Sequence, residues 1–431
     1  MDNSDKLSSW KEIANYLDVE IRTCQRWERE AELPVHRYTK TSHSRVFTTR
    51  IELDKWLNRS NPLNEKESNS NFKFKNPLIF LLIILAIVPL LFMAFHANEN
   101  PVNFKIIGSE LIILNSKGDE LWRYDTEVEN LWLDNKYRNH FQHKYFNGKY
   151  NKFPKIIIKD IDNDKKNEVL FGIRTEDKTN CGEIYLFDHK GKVLWNYKLG
   201  KEMQYGKEIY SGDYAPTGID IYDLNNDGKN EIIIISEHLL YFPTEFIVLN
   251  LNGEEKGSYW NSGRIADYAF HDLNNDGIKE VILAGMNNEY NKGCLTILNS
   301  DKISGFSPQL KDNYKYRNWI KGSEKYYLLL PRTIIDKMSP SRTYANNIIV
   351  LKNGSLSIKM WPSGVYFEFD NNFNILSVNL SDAFMNKMKT TQEFIKNEFS
   401  AEEYVNDIKK GIQYFNGKEW VPEPASSNPI L

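Results

Sequence analysis

Three copies of one acidic loop constrain this chain more than any other feature. They read DIDNDKKNE (Asp160 to Glu168), DLNNDGKNE (Asp223 to Glu231) and DLNNDGIKE (Asp272 to Glu280), and each runs directly into an apolar segment, VLFGI, IIIIS and VILAG. From the first acid to the Asp or Asn that ends the following strand-like run, 160 to 188, 223 to 250 and 272 to 299, the separations are 28, 27 and 27 residues. Constant spacing inside a unit with variable spacing between units marks a structural repeat. The surrounding texture, short Ile/Val/Leu/Tyr/Phe runs broken by Asn, Asp and Gly, is that of an all-β domain.

The loops carry chemistry as well as punctuation. Oxygens at positions 1, 3, 5 and 9 of a tight loop can converge on one point, and Ca²⁺ takes about six to eight oxygen ligands. The candidate ligands are Asp160, Asp162, Asp164 and Glu168, then Asp223, Asn225, Asp227 and Glu231, then Asp272, Asn274, Asp276 and Glu280. Gly228 and Gly277 at position 6 permit the sharp turn, whereas the first copy departs from the pattern with Lys165. A strong ligand at position 9, with strands on either side, points to a strand–loop–strand site and away from an EF-hand. Solvated Asx turns would need the same residue types; three recurrences favour Ca²⁺.

A second motif interleaves with the first: LIILNSKGDELW, IYLFDHKGKVLW, FIVLNLNGEEKGSYW, LTILNSDKISGF and VYFEFDNNFNIL. Together the two motifs resemble the FG-GAP/VCBS repeats of integrin-type β-propellers over about residues 104 to 380. That resemblance implies four-stranded blades with Ca²⁺ in a loop between strands. It leads us to expect an all-β propeller over 104–420 with six or seven blades. The first turn motif, Leu111 to Trp122, would then close the ring with the C-terminal segment.

Residues 1–60 have a different texture. Ser9 and Glu12 have capping-box spacing, which starts a helix at about Trp10 with Trp10, Ile13, Ala14 and Leu17 on one face. A second helix is predicted over Ile21 to Glu30, with Ile21, Cys24 and Trp27 inward. LPVHRYTKTSHSRVFTTR then reads as two extended pieces around a polar tip, and Thr49 with Glu52 starts a third helix. The string SSWKEIANYL, RTCQRWERE, LPVHR, RVFTTRIELDKWL resembles the MerR-like and excisionase-like winged helix-turn-helix domains. The resemblance implies a small α+β domain whose second helix enters the major groove of double-stranded DNA. Carried over, Arg22, Thr23, Gln25 and Arg26 become candidate base readers, and Arg37, Lys40, His43 and Arg45 candidate phosphate contacts. The overall formal charge is −3, but residues 21 to 50 hold seven Arg/Lys against three Glu.

Between these regions lies Leu78 to Phe95, 18 residues without a charged or hydrogen-bonding side chain. Its length suits a bilayer core, so 77–95 is expected to form a transmembrane helix behind a polar linker at 61–76. Lys and Arg flank its N-terminal side, which predicts a single-pass protein of the bacterial cytoplasmic (inner) membrane, N-terminus cytoplasmic and C-terminal domain extracytoplasmic. The lipid bilayer is then a partner. Cys24, Cys181 and Cys294 match no zinc or redox spacing. No nucleophile elbow, phosphate-cradling loop or zinc-binding His pair is found, so catalysis is not expected. The combined expectation is a multidomain, membrane-tethered one-component transcription regulator. Its propeller would sense an unknown ligand or protein, and paired chains, a homodimer, would strengthen DNA binding. The rival expectation is a membrane-anchored Ca²⁺-dependent adhesion or scaffold propeller whose N-terminal domain binds protein.

Overall fold

The computed structural model describes residues 5–37, 45–59, 99–138, 154–177, 181–240, 242–391 and 400–427. The chain divides into two compact units, Met1–Ile87 and Val88–Leu431.

In the first unit, β1 (Lys6–Leu7) precedes α1 (Trp10–Leu17) and α2 (Ile21–Glu30), and β2 (His36–Arg37) and β3 (Val46–Thr49) lead into α3 (Arg50–Arg59). Ser9 caps α1 by accepting from Glu12 N at 3.2 Å, while Glu12 Oε2 takes the Ser8 amide at 2.8 Å. Asp18, left-handed at φ 52°, ends the helix. Thr49 and Glu52 cap α3 reciprocally, at 3.1 and 3.3 Å. The strands pair in the order β1-β3-β2. Ile13, Ala14, Cys24, Leu33, Val46 and Leu53 form the core, with Trp27 against Trp56 at 5.6 Å. Ile21, expected inward, is 41% exposed. It stands at the first position of α2, one turn short of Cys24, where the core begins.

The second unit is a succession of antiparallel meanders. β4 (Asn103–Ile107), β5 (Glu110–Leu114) and β6 (Glu120–Asp125) make the first sheet. β7 (Ile156–Lys159), β8 (Glu168–Gly172), β9 (Glu183–Phe187) and β10 (Val193–Lys198) make the second. A hairpin of β11 (Met203–Tyr205) and β12 (Glu208–Tyr210) precedes the third sheet, β13 (Tyr214–Tyr222), β14 (Glu231–His238), β15 (Thr244–Leu249) and β16 (Glu255–Asn261). The fourth holds β17 (Ile265–His271), β18 (Glu280–Asn287), β19 (Lys292–Asn299) and β20 (Glu324–Leu330). The fifth holds β21 (Tyr344–Val350), β22 (Leu356–Trp361), β23 (Val365–Phe369) and β24 (Ile375–Leu380). Short strands β25 (Gln413–Phe415) and β26 (Trp420–Val421) then extend the fourth sheet at β20.

The strands that follow the acidic loops, β8, β14 and β18, are buried on both faces, which is why their sequences run apolar without alternation. In β14, Ile232 and Ile234 pack toward the second sheet with Leu170, Leu186 and Ile247. Ile233 and Ile235 pack toward the fourth with Val281, Leu283 and Leu298. The same division places Val169 and Phe171 against the first sheet, and Ile282 and Ala284 against the fifth. This serial stacking of meanders is a mainly β, propeller-like arrangement.

A tryptophan rivets successive sheets. Trp122 Nε1 of the first sheet donates to His189 O in the β9–β10 turn at 3.1 Å, and Trp195 Nε1 of the second donates to Leu251 O in the β15–β16 turn at 2.9 Å. The turn glycines Gly191 and Gly253 lie flat on these rings, with φ of 86° and 82°. A Cβ on either would sit 2.7 Å from the indole.

Several expectations are corrected. The described residues form five such meanders, fewer than six or seven blades, because the 311–360 stretch holds β20, a short helix (Ile334–Met338) and β21. The first motif forms a sheet of its own, and the C-terminal strands join β20 and leave the first sheet alone. Among the described residues three further helices, Asp134–Arg138, Asp382–Thr390 and Ala401–Lys410, fall inside the region expected to be all β. The single-pass membrane placement is overturned: no helix among the described residues is long and apolar enough to cross. The longest have 10 residues, about 15 Å of rise against a core of about 30 Å. Residues 61–76 and 77–95, on which that expectation rested, lie outside the described residues.

The turn packing sets a test. Gly253→Ala is expected to destabilise the chain by about 1–3 kcal/mol through strain and overpacking, and Trp195→Phe by about 1 kcal/mol through the orphaned carbonyl. Urea denaturation followed by tryptophan fluorescence and circular dichroism measures both.

Candidate functional site

The three acidic loops share one backbone design. Position 4 is left-handed in each, with Asn163, Asn226 and Asn275 at φ 67°, 59° and 59°. Position 6 follows at 70°, 82° and 88° in Lys165, Gly228 and Gly277. Lys165 therefore adopts the glycine conformation, and its departure from the pattern leaves the loop intact. The first acid of each copy accepts the position-6 amide: Lys165 N to Asp160 at 2.9 Å, Gly228 N to Asp223 at 2.9 Å, Gly277 N to Asp272 at 2.8 Å. The fifth-position acids Asp164, Asp227 and Asp276 each accept the amide two residues on, at 2.6, 2.8 and 2.8 Å.

Position 9 opens the inner strand and is buried: Glu168, Glu231 and Glu280 are 5%, 4% and 4% exposed. Each reaches back to the position-2 amide, Ile161 N, Leu224 N or Leu273 N, at 3.0, 3.0 and 2.9 Å. Neighbouring loops are tied together. Asn230 Nδ2 at position 8 of the second donates to Ile161 O of the first at 2.8 Å, and Lys279 N of the third donates to Leu224 O of the second at 3.2 Å.

The copies part company in charge. In the second and third, a β-bulge residue of the outer strand supplies a lysine: Lys256 Nζ lies 2.7 Å from Glu231 and Lys325 Nζ 3.6 Å from Glu280. Leu194 holds the equivalent bulge in the second sheet, and Glu168 has no lysine partner among the described residues. Burial, then the nearby Asp162 and Asp164 carboxylates, pushes Glu168 up to about 7. Carboxylate oxygens of Asp160, Asp162 and Glu168 lie within 4.8 Å of one another, while Asp164 stands outside that trio. Asp160 Oδ1 is buried without a hydrogen-bond partner. Three hard oxygen donors and an orphaned acceptor fit a divalent cation such as Ca²⁺. In the other two copies position 3 is Asn, and Asn225 and Asn274 spend their amides on Asp227 and Asp276 at 3.1 and 2.8 Å.

In the N-terminal unit, Arg22, Gln25 and Arg26 lie exposed along α2, with Thr23 half-buried beside them. Arg29, which the sequence reading passed over, continues that face one turn on, at the i, i+3, i+4, i+7 spacing. Arg37 is committed to Glu28 at 2.8 Å, and Arg26 approaches Glu30 at 4.0 Å. His36 pairs with Glu52 at 3.0 Å. Arg45 is exposed just before β3; Lys40 and His43 lie outside the described residues.

No protein-family model matches the chain, and no curated protein matches it. Solved structures similar to it include a protein of unknown function from Bacteroides caccae, at 11% identity over 66% of this chain and 74% of that one, TM-score 0.27. The Dos1 propeller is similar at 9% identity over 64% and 65%, TM-score 0.30. BamB from Moraxella catarrhalis is similar at 10% identity over 64% and 68%, TM-score 0.24.

Lys165→Gly is expected to stabilise the chain by about 1 kcal/mol, because glycine holds φ near 70° without the Cβ clash. Chemical denaturation measures the difference; a loss of stability would contradict the shared loop design.

Proposed function

We propose that the chain is a transcription regulator: its N-terminal unit binds double-stranded DNA through α2, and its β-sheet unit is a Ca²⁺-stabilised module that receives a ligand or partner. The observation that carries the DNA reading is the row of exposed Arg22, Gln25, Arg26 and Arg29 along one face of α2. Arg and Gln offer paired donors and acceptors suited to base edges, and the order of helices and strands matches the winged-helix resemblance. Arg45 would hold a phosphate, whereas Arg37 acts through Glu28 as a brace for α2. A rival reading, a Ca²⁺-dependent adhesion or scaffold protein whose N-terminal unit binds protein, draws support from the glutamates that blunt this field, Glu28 and Glu30.

Selection from a random duplex pool with the full chain tests the first half. A discrete sequence should be enriched, with affinity falling steeply as salt rises. Arg22→Ala and Arg26→Ala should each cost about 1–3 kcal/mol and relax specificity at one position. Binding with no sequence preference would favour the rival.

Calcium titration calorimetry tests the second half. The tightest site belongs to the first loop, whose buried Glu168 has no lysine partner among the described residues. Asp162→Ala should abolish it and Leu194→Lys should weaken it by supplying a competing cation, while Asn225→Ala leaves it in place. Equal loss from all three variants would contradict the assignment.

A further inference from the structure

Strands β14 and β18, which begin at acidic loops, end at their far side in a second feature that none of the readings above uses. There the β11–β12 hairpin, the β14–β15 turn, the β18–β19 turn and the loop after β19 enclose a cleft of about 590 Å³, within the range typical of ligand sites. Four aromatic rings build one wall. Tyr205 stacks on Tyr210 at 4.9 Å, Phe242 meets both edge-on at 5.1 and 5.6 Å, and Tyr314 lies 5.3 Å from Phe242. Tyr205 and Tyr210 are buried as the floor, while Phe242 and Tyr314 are only half-buried.

The rest of the lining, Met286 apart, is polar. Asn288 Oδ1 is buried and has no hydrogen-bond partner. Glu289 is fixed as an acceptor by Leu310 N at 2.9 Å and Lys311 N at 3.2 Å. Glu208, Asn291, Asn313 and Arg342 stand exposed around the mouth. A crevice that shares Tyr205 and Tyr314 with this cleft holds Gln309, 4% exposed, whose Oε1 is likewise without a partner. Unmet buried acceptors are costly and call for hydroxyl or amide donors from a ligand. Amide side chains beside them serve groups that both donate and accept.

We propose that this cleft binds a neutral oligosaccharide. A sugar ring presents an apolar C–H face with partial positive charge, suited to the negative face of an aromatic ring, and a rim of hydroxyls that donate and accept together. Arg342 offsets part of the charge of Glu208 and Glu289, so the lining favours neither a strong anion nor a strong cation. The inference names a ligand class for the β-sheet unit in the regulator reading. It is measured without DNA, so either can fail alone.

The test uses the full-length chain on an array of immobilised oligosaccharides, neutral ones built from glucose, galactose, mannose or N-acetylglucosamine alongside sialylated and sulfated ones. Calorimetry with the strongest free glycan follows. Binding to a neutral glycan is expected. Phe242→Ala, Asn288→Ala and Asn291→Gly should each weaken it by roughly fivefold or more. Asn291→Gly should leave the melting temperature unchanged, since that side chain is exposed and glycine keeps its left-handed backbone at φ 50°. Three results overturn the proposal: a folded chain that binds no glycan, binding confined to the sialylated or sulfated glycans, or neutral-glycan binding that all three variants leave intact.

Discussion

A carboxylate at the first residue of an inner strand, turned back onto the amide seven residues earlier, holds the β-sheet unit in order. Glu168, Glu231 and Glu280 each make this bond, at 3.0, 3.0 and 2.9 Å. A hydrogen bond to a charged acceptor contributes about 1.5–3 kcal/mol, but its structural effect is larger than that figure suggests. It fixes where the loop ends and the strand begins, so it sets the register of every apolar residue after it. A slip of one residue in β14 would exchange the Ile232/Ile234 face with the Ile233/Ile235 face.

The same loops tie sheet to sheet, through Asn230 to Ile161 and Lys279 to Leu224, and the tryptophans Trp122 and Trp195 do so again at the turn after the next strand. The acidic end of the stack is therefore a chain of short, strained, heavily hydrogen-bonded turns. The far end is built from longer and less repetitive connections, among them the β11–β12 hairpin and the 311–323 loop. Such connections are free to diverge without disturbing the core, and it is there that an aromatic and amide-lined cleft has formed.

Much of this was legible in the sequence. The capping pairs Ser9–Glu12 and Thr49–Glu52 mark where α1 and α3 begin, because a short side chain followed at three residues by Glu satisfies the free amides of a helix start. The fixed 27- or 28-residue spacing located the repeated sheets. What the pattern could not reveal was which residues are equivalent across the β-bulge. The motif FIVLNLNGEEKGSYW ends in a tryptophan, Trp260, as the motifs of Trp122 and Trp195 do. Seven residues on from Asn250, however, where those tryptophans stand relative to Asn115 and Asp188, the chain has Gly257. The lysines on Glu231 and Glu280, and Leu194 at the equivalent bulge of the second sheet, were hidden for the same reason, since a bulge shifts one residue without changing composition. The loop that looked least regular by sequence, with Lys165 in a glycine position, is the one in which three carboxylates, Asp160, Asp162 and Glu168, lie within 4.8 Å of one another. The aromatic cleft left no signal, because its residues come from five separate connections.

Hydrogen exchange measured by mass spectrometry on Glu231→Ala tests the central claim most directly. If the ninth-position carboxylate orders both its own loop and the next, exchange should rise at Leu224 and also at Lys279, which donates to Leu224 O from the adjoining sheet. Protection lost in both β14 and β18 is the expected result. A change confined to the mutated loop, with β18 as protected as before, would contradict the account and leave the sheets held by apolar packing alone.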